Sequence, residues 1–447
     1  MEARLPRRSL VSDWVAVVLA ITTGACTFDP SAPVGGASGG GAADDGDEDD
    51  GGDDSTPADC PEALHTVLSV NGVEASGGDQ PIATVLLGDT VTLSAAGSCS
   101  QRGPVTYQWA IEDGDLRHSV DTGLDSQSLR VYPSLPGDYL VTLTVSDDVA
   151  SGEPVTVHAL RADAWGQVSD QADVRDVAMG AGRMWIAAGA GAFYIDLDDT
   201  ASGAKLLNDA VPGPPDVSNN LSAVHFGSGD LVWFARQGNA NQVWRVGDAS
   251  LAVEVIDLPG NNDVRDIASS GPGVMVGGKD GVLSSLDNNT FGAPNPEVDV
   301  FAVADNADGS WAGGSALFRV GGSMFSPFPD ADNKIRALVG DGDLVWAGSD
   351  GQGVARFDGA DATVFTEADG LPSNVIRALA VESSGDVWAA TAVGVARYKQ
   401  DRKVWVKMAD QAGLTGLLDA TGIAVLEAGG ERQIAVGAGG GIAILGP

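Results

Sequence analysis

Alternating apolar and polar positions recur in the C-terminal part of the chain with a period of about forty residues, as repeated supersecondary units do. Residues 335–357 recur in similar form as residues 376–398. The second copy reads as three short strands separated by turns that contain Gly or Ser, and the alternating segment 403–408 supplies a fourth. Four antiparallel strands per repeat predict the blade of a β-propeller.

The same unit can be followed backwards along the chain. A large apolar residue marks the second strand in each of six copies, namely Trp185, Trp233, Met275, Trp311, Trp346 and Trp388. A seventh, degenerate copy at 423–445 has only three strands, and we expect residues 165–170 to supply its outer strand, since this pairing leaves no unpaired edge. The prediction for residues 163–447 is therefore a seven-bladed propeller, with six blades as the alternative.

Two of the repeats resemble a known family. Gly370-Leu-Pro-Ser-Asn, Gly385-Asp-Val-Trp-Ala-Ala-Thr and Gly394-Val-Ala-Arg-Tyr are similar to the two-component-regulator propeller repeat. That repeat occurs in the extracytoplasmic sensor halves of bacterial hybrid histidine kinases, where it is associated with carbohydrate sensing. The printed chain carries no kinase or receiver sequence, so the resemblance predicts the fold rather than a signalling role.

A separate β-domain is predicted for residues 60–162. The segments 88–99, 105–114 and 136–148 alternate as the strands of a two-sheet sandwich. They resemble the polycystic-kidney-disease (PKD) domain, an immunoglobulin-like module of extracellular proteins. Residues 109–114 stand where that family has a Trp-Asp-Phe-Gly-Asp-Gly motif, from which Ala110 and Glu112 depart. The overall prediction is an all-β chain, with an immunoglobulin-like sandwich followed by the propeller.

The N-terminus predicts export and anchoring. Residues 1–26 combine a basic head with an apolar run that is too short to span a bilayer, and they end at Cys26 after small residues. This resembles the signal peptide and lipidation Cys of bacterial lipoproteins; ordinary signal cleavage, with Cys26 incidental, is the alternative. The prediction is a lipid-anchored protein of the cell envelope, at the outer membrane, with the side of the membrane left open.

A Gly- and Asp-rich stretch, 27–59, follows this signal. Residues 44–54 alone hold eight carboxylates and no apolar side chain, which predicts a disordered, solvated tether rather than a calcium site. If Cys26 carries lipid, Cys60 and Cys99 remain as a pair that an exported protein is expected to oxidise to a disulfide. Two free thiols are the alternative.

Charge and composition exclude some functions. The formal net charge is −37, so nucleic acid is not an expected partner. The four His are scattered without the spacing of metal ligands, and no nucleophile elbow or phosphate-binding loop is present. We therefore predict no metal, no cofactor and no catalytic residue.

One set of residues is a candidate binding site. Four blades carry an arginine at the second position of their innermost strand, namely Arg175, Arg265, Arg336 and Arg377. Innermost strands line the channel of a propeller, so these side chains are predicted to form a ring about its axis. The favoured interpretation is that they pair with neighbouring acids such as Asp176 and Asp266 and join the blades; the alternative is that the ring binds an anionic ligand. Trp165 and Trp405, on outer strands, are expected to face solvent.

The functional prediction is a surface-anchored, non-catalytic lipoprotein whose propeller binds a glycan or a protein of the cell envelope. The alternative is a propeller enzyme, such as a polysaccharide lyase or a glycosidase, acting in the axial funnel. An enzyme requires convergent polar residues with perturbed pKa values in that funnel, whereas a protein scaffold requires an exposed apolar patch.

Overall fold

The computed structural model describes residues 60–75, 80–111, 116–118, 123–207, 220–238, 241–260, 263–293, 298–328, 334–359, 361–408, 419–428 and 431–446. The predicted signal segment, Cys26 and the acidic tether lie outside them. Apart from 3-10 turns at Thr200–Ser202 and Glu367–Asp369, every regular element among these residues is a β-strand. The all-β prediction is confirmed.

The N-terminal part is a sandwich of two sheets in which most neighbouring strands are antiparallel. Its strands, in chain order, are β1 (Leu64–His65), β2 (Ser69–Val70), β3 (Val73–Glu74), β4 (Ala83–Val85), β5 (Val91–Ser94), β6 (Cys99–Ser100), β7 (Thr106–Ile111), β8 (Leu116–His118), β9 (Ser128–Pro133), β10 (Gly137–Ser146) and β11 (Val155–Ala162). One sheet has the order β4-β11-β10-β7 and the other β3-β2-β5-β9-β8, while β1 pairs with β6. Alternate residues of the long strand β10 are buried, as expected for a strand with one face on the core.

A disulfide fixes the start of the sandwich. Cys60 and Cys99 are bonded, with their Cα atoms 5.7 Å apart, which confirms the predicted pair. Trp109 is buried in the core, and its indole nitrogen donates a hydrogen bond to the carbonyl oxygen of Ser126 at 2.8 Å. The polar atom of this large side chain is therefore satisfied inside the sandwich.

The remaining strands form seven small antiparallel sheets, which are the blades. Blade one consists of β13 (Val174–Gly180), β14 (Arg183–Ala188), β15 (Gly191–Asp196) and β16 (Lys205–Leu206), and blade two of β17 (Leu221–Gly227), β18 (Leu231–Arg236), β19 (Gln242–Gly247) and β20 (Val253–Asp257). Blade three consists of β21 (Val264–Ser270), β22 (Gly273–Gly278) and β23 (Gly281–Ser285). Blade four consists of β24 (Ala302–Asn306), β25 (Gly309–Gly313), β26 (Leu317–Arg319) and β27 (Met324–Phe325). Blade five is β28 (Ile335–Asp341), β29 (Leu344–Ser349), β30 (Val354–Phe357) and β31 (Ala362–Phe365); blade six is β32 (Ile376–Val381), β33 (Val387–Thr391), β34 (Gly394–Lys399) and β35 (Val404–Lys407). Blade seven is β36 (Ala420–Ala428), β37 (Glu431–Ala438) and β38 (Gly441–Leu445) with an outer strand from earlier in the chain, β12 (Gly166–Ser169).

The ring of blades closes in the predicted way. Strand β12 pairs antiparallel with β38, so the last blade takes its outer strand from before the first blade. The innermost strands contact one another in the order β13, β17, β21, β24, β28, β32 and β36, and β36 in turn contacts β13. This arrangement is a seven-bladed propeller, in which every inner strand has a neighbour on both sides.

Aromatic and aliphatic side chains fill the space between the blades. The Trp residues predicted to form inter-blade core are all buried, and Met275 replaces Trp in blade three without becoming exposed. The expectation for Trp165 and Trp405 was wrong, because both are buried. Trp165 packs edge-on against Trp388 at 6.1 Å, beneath the sandwich, and Trp405 packs against Trp346 at 6.3 Å.

The sandwich packs directly on the propeller. One apolar cluster contains buried residues of both parts, including Leu86 of the sandwich and Met408 of blade six. Gly88 approaches Met408 closely enough that a Cβ on this glycine would lie 3.6 Å from the methionine Cε. At the edge of the contact, the guanidinium of Arg402 lies over the ring of Tyr132 at 3.9 Å.

A buried network of charges joins the two parts at the same place. Asp89 of the sandwich accepts hydrogen bonds from Arg397 at 2.7 Å and from Arg432 at 2.5 Å. Arg397, whose side chain has no exposed surface, also donates to Glu382 at 2.9 Å and lies 3.0 Å from a carboxylate oxygen of Asp386. Burial raises the pKa of Asp89, but the nearby cations outweigh it and the net pKa is lowered. The sandwich carboxylate is therefore a charged partner for blades six and seven.

Candidate functional site

A repeated backbone irregularity directs one side chain per blade into the axial channel. At the start of the innermost strand, the pairing register skips one residue in six blades, as between Val174 and Asp176. The skipped residues are Arg175, Ser222, Arg265, Arg336, Arg377 and Thr421. In blade four, Phe301 directly precedes β24 and donates its N–H to the carbonyl of Gly313 at 2.7 Å. A bulge of this kind re-aims a side chain out of the sheet.

These seven side chains surround one cavity of about 430 Å³ at the propeller axis. We call them the mouth ring: Arg175, Ser222, Arg265, Phe301, Arg336, Arg377 and Thr421. Below the ring, the lining changes to residues such as Val177, Ile267 and Leu338, with Asp176, Asp266 and His225 as the main polar groups. The structure thus brings the four predicted arginines together at one cavity.

The arginines of the mouth ring pair with acidic residues other than the predicted Asp176 and Asp266. Arg265 pairs with Asp299 at 2.6 Å, Arg336 with Asp350 at 3.0 Å and Arg377 with Asp419 at 3.5 Å. The remaining one, Arg175, donates to the side-chain oxygen of Gln237 at 2.5 Å and contacts Asp173 at 3.3 Å. All four arginines keep between a fifth and a half of their side-chain surface exposed.

Asp176 and Asp266 instead bind backbone amides, so the prediction that they pair with the arginines was wrong. Asp176 accepts the N–H of Val177 in its own strand and the N–H of Val224 in the next blade, both at 2.9 Å. Asp266 bridges blades three and four in the same way, through Ile267 and Val303. These carboxyl groups join neighbouring blades through backbone hydrogen bonds.

Burial perturbs the protonation of both carboxyl groups. Removal from water raises the pKa of Asp176 to about 8, and the charge of Asp266 adds to this shift. Burial raises the pKa of Asp266 to about 6. His225 hydrogen-bonds the hydroxyl of Ser269 at 2.7 Å, and burial lowers the pKa of this imidazole to about 4. At neutral pH, the channel below the mouth ring therefore contains a neutral imidazole and one protonated carboxyl group.

One side of the mouth ring has a geometry that the sequence did not indicate. The guanidinium carbons of Arg265 and Arg336 lie over the ring of Phe301 at 4.1 and 4.4 Å, and the amine of Lys334 lies 5.0 Å from the same ring. Lys334 directly precedes β28, a position that could have suggested its place beside Arg336. We call these four residues the cationic sector.

Two of the smaller members of the mouth ring have structural roles. The hydroxyl of Ser222 donates to the carbonyl of Val264 in the next blade at 2.9 Å. The hydroxyl of Thr421 donates to the carbonyl of Val174 at 2.7 Å, across the closure of the ring. The bulged position of the innermost strand therefore joins neighbouring blades by a hydrogen bond in blades two and seven, and carries a guanidinium group in blades one, three, five and six.

The site has the chemistry of an anion receptor. Guanidinium groups supply charged donors in a fixed fork, and a pocket of a few hundred Å³ is typical of small-ligand sites. In the part of the chain that the structure describes, no group of three or more His, Cys, Asp or Glu is arranged to hold a metal ion. No helix in that part is long and apolar enough to cross a bilayer.

Comparison with known proteins supports the two folds. Residues 77–164 match the PKD domain family, which agrees with the sandwich predicted for 60–162. A comparison with curated proteins finds no match to this chain. The match agrees with the predicted PKD-like domain, and the structural likeness with a TM-score of 0.50 agrees with the overall fold.

Among solved structures, the chain is similar to a domain described as the extracellular domain of the hybrid two component system BT4673 from B. thetaiotaomicron. The TM-score is 0.50 at 14% identity, over 63% of this chain and 39% of that one. For the corresponding domain of BT3049 from the same organism, the TM-score is 0.49 at 17% identity, over 68% of this chain and 44% of that one. The chain thus spans about two fifths of the length of these structures, and at such identities the likeness concerns the fold.

Proposed function

We propose that this protein is a non-catalytic receptor of the cell envelope, which binds a glycan at the mouth ring of its propeller. The observation that carries the proposal is the convergence of four arginines, each directed by the same backbone bulge, on one cavity of about 430 Å³. Loops and strand ends that surround a rigid channel are the usual place for a propeller to bind its ligand.

A small polar ligand fits the mouth better than a protein partner does. Protein interfaces are centred on exposed apolar or aromatic side chains that become fully desolvated. Among the described residues, none of the exposed large apolar side chains lines the cavity. The lining next to the mouth ring instead offers hydroxyl, carboxyl and imidazole groups, which are suited to hydrogen-bonding the hydroxyls of a sugar.

The test is binding by the full chain on a glycan array, beside a pull-down from envelope extract. The Arg336→Ala/Arg377→Ala variant removes two guanidiniums of the mouth ring, and Arg161→Ala removes an exposed, ion-paired arginine of the sandwich as a matched control. Saturable glycan binding that is lost only in the double variant is expected. Capture of an envelope protein with no glycan bound would contradict the proposal.

A glycosidase is the second candidate, and one observation favours it. The pKa of Asp176 is raised to about 8 and that of Asp266 to about 6, so at neutral pH one carboxyl group holds a proton while the other is largely ionised. Glycosidases use such a divided pair as acid and base. Both oxygens of each carboxyl already accept backbone amides of two blades, which favours a structural role. Hydrolysis of a bound glycan that Asp266→Asn abolishes would support the enzyme.

Attachment to the membrane is part of the proposal. The apolar segment before Cys26 and the acidic stretch after it fit a lipidated N-terminus followed by a tether. We expect the full chain to sediment with membranes and the Cys26→Ala variant to remain in the soluble fraction after signal cleavage. Equal sedimentation of the two proteins would refute the lipid anchor.

A further inference from the structure

The mouth ring is asymmetric in charge. Blades three to five contribute the cationic sector, Arg265, Phe301, Lys334 and Arg336, around a single aromatic ring. The blade-two and blade-seven members of the mouth ring are Ser222 and Thr421, neutral side chains whose hydroxyls are already bonded to carbonyls of neighbouring blades. A ligand that enters the channel therefore meets Arg265 and Arg336 on one side, with Lys334 beside them, whereas Arg175 and Arg377 are spread among the neutral members of the ring.

The cations of this sector are only partly neutralised. Asp299 binds one terminal nitrogen of Arg265, and Asp350 binds Arg336 through Nε and one terminal nitrogen. Within the described residues, the other guanidinium nitrogens of these two arginines donate to no carboxylate, and Lys334 has no ion pair. In a chain with a net charge of −37, this is a local excess of positive charge.

Phe301 contacts both guanidinium groups. Both carbons lie within 4.4 Å of its ring centroid, so two like charges are kept near one aromatic ring. Cation–π contact offsets part of their repulsion, and an anion that contacts both would offset the rest. The arrangement is thus prepared for a negatively charged group that accepts hydrogen bonds from both arginines.

We infer that the glycan bound at the mouth ring is an acidic one, and that its carboxylate or sulfate is bound jointly by Arg265 and Arg336. This inference rests on the proposed function, since it names the ligand class of the same site. In this arrangement, Phe301 is a positioning residue that holds the guanidiniums, and the hydroxyls of the sugar point toward the polar groups deeper in the channel.

The test compares matched acidic and neutral probes by isothermal titration calorimetry with the full chain. The probes are a tetragalacturonate and its methyl ester, and a sulfated neutral tetrasaccharide and its unsulfated parent. At least one acidic probe should bind tenfold or more tightly than its neutral counterpart, and which one does distinguishes carboxylate from sulfate. The preference should shrink as salt is raised, because exposed charges are screened.

Three variants of the mouth ring and one control variant locate the effect. Arg265→Ala/Arg336→Ala should reduce the acid preference to less than twofold, and Phe301→Leu should reduce it while both cations remain. Arg336→Lys keeps the charge without the fork and should retain part of the preference, which guards against simple loss of folding. Arg161→Ala should leave the preference unchanged.

The outcomes separate the two proposals. Equal binding of acidic and neutral probes, lost in the mouth-ring variants, would overturn the acidic-ligand inference and leave the glycan receptor intact. If no probe bound but neutral glycans bound on the array, the acidic-ligand inference would again be overturned and the glycan receptor would again be left intact. If neither the probes nor the array showed glycan binding, both proposals would fail.

Discussion

Removing the Asp89 carboxylate is expected to weaken the contact between sandwich and propeller strongly. Three cations, Arg397, Lys399 and Arg432, share three carboxylates there, and Asp89 is the one that the sandwich supplies. In Asp89→Ala, three buried or half-buried cations would face two carboxylates. Removal of one partner from a buried ion pair typically costs about 3–5 kcal/mol, because it leaves an uncompensated charge.

The assay is urea unfolding followed by tryptophan fluorescence, since Trp388 lies under the guanidinium of Arg397 at 5.1 Å and should report on the contact. Asp138→Ala is the matched control. It breaks the exposed pair between Asp138 and Arg161, and exposed pairs contribute about 0–1 kcal/mol. The double variant Asp89→Ala/Arg432→Leu restores charge balance and should be destabilised less than the sum of its single changes. A loss below about 1 kcal/mol in Asp89→Ala would refute the reasoning.

Three further predictions concern stability. Because burial raises the pKa of Asp176 from 3.8 to about 8, its contribution to the free energy of unfolding is fully present below about pH 4 and is lost progressively as the pH rises to about 8. The stability of the wild type relative to Asp176→Asn should therefore fall between about pH 4 and about pH 8 in urea titrations and level off above that; a constant difference would contradict this. The disulfide joins residues that are 39 positions apart in the sequence, so the free energy of unfolding of Cys60→Ala/Cys99→Ala should be about 4 kcal/mol lower than that of the wild type. An unchanged free energy of unfolding would contradict the chain-entropy explanation. A Cβ at Gly422 would lie 2.7 Å from the backbone of blade one, whereas nothing lies within 4 Å of a Cβ at Gly439. Gly422→Ala should thus lower the melting temperature and Gly439→Ala should not, and equal effects would mean that blade seven does not pack on blade one as described.

The repeat pattern predicted the blades well because each blade is a local unit. The repeat at residues 376–398, predicted to form three strands, is observed as Ile376–Val381, Val387–Thr391 and Gly394–Lys399 of blade six. The outer strand of blade seven was also placed correctly, because only one unassigned segment could remove the free edge. Blade three, in which Met275 stands in place of Trp, has three strands among the described residues.

Features that depend on contacts distant in the chain were not predictable. Trp165 was expected to face solvent because its strand is an outer one, yet the sandwich covers it. The partners of Asp89 lie about three hundred residues away in the chain, with no local pattern to connect them. The arginines of the mouth ring were found from their repeated position, but their acidic partners were misassigned because the bulge turns Arg175 and Asp176 in different directions.

The most direct test of the account is chemical footprinting of arginines in the full chain. Phenylglyoxal would be allowed to react with the protein, with and without a saturating amount of the tightest glycan from the array, and modification would be read by peptide mass spectrometry. Bound glycan should protect Arg265 and Arg336 and leave the exposed Arg161 equally reactive. Unchanged modification of the mouth ring by a glycan that does bind would contradict the assignment of this channel as the binding site.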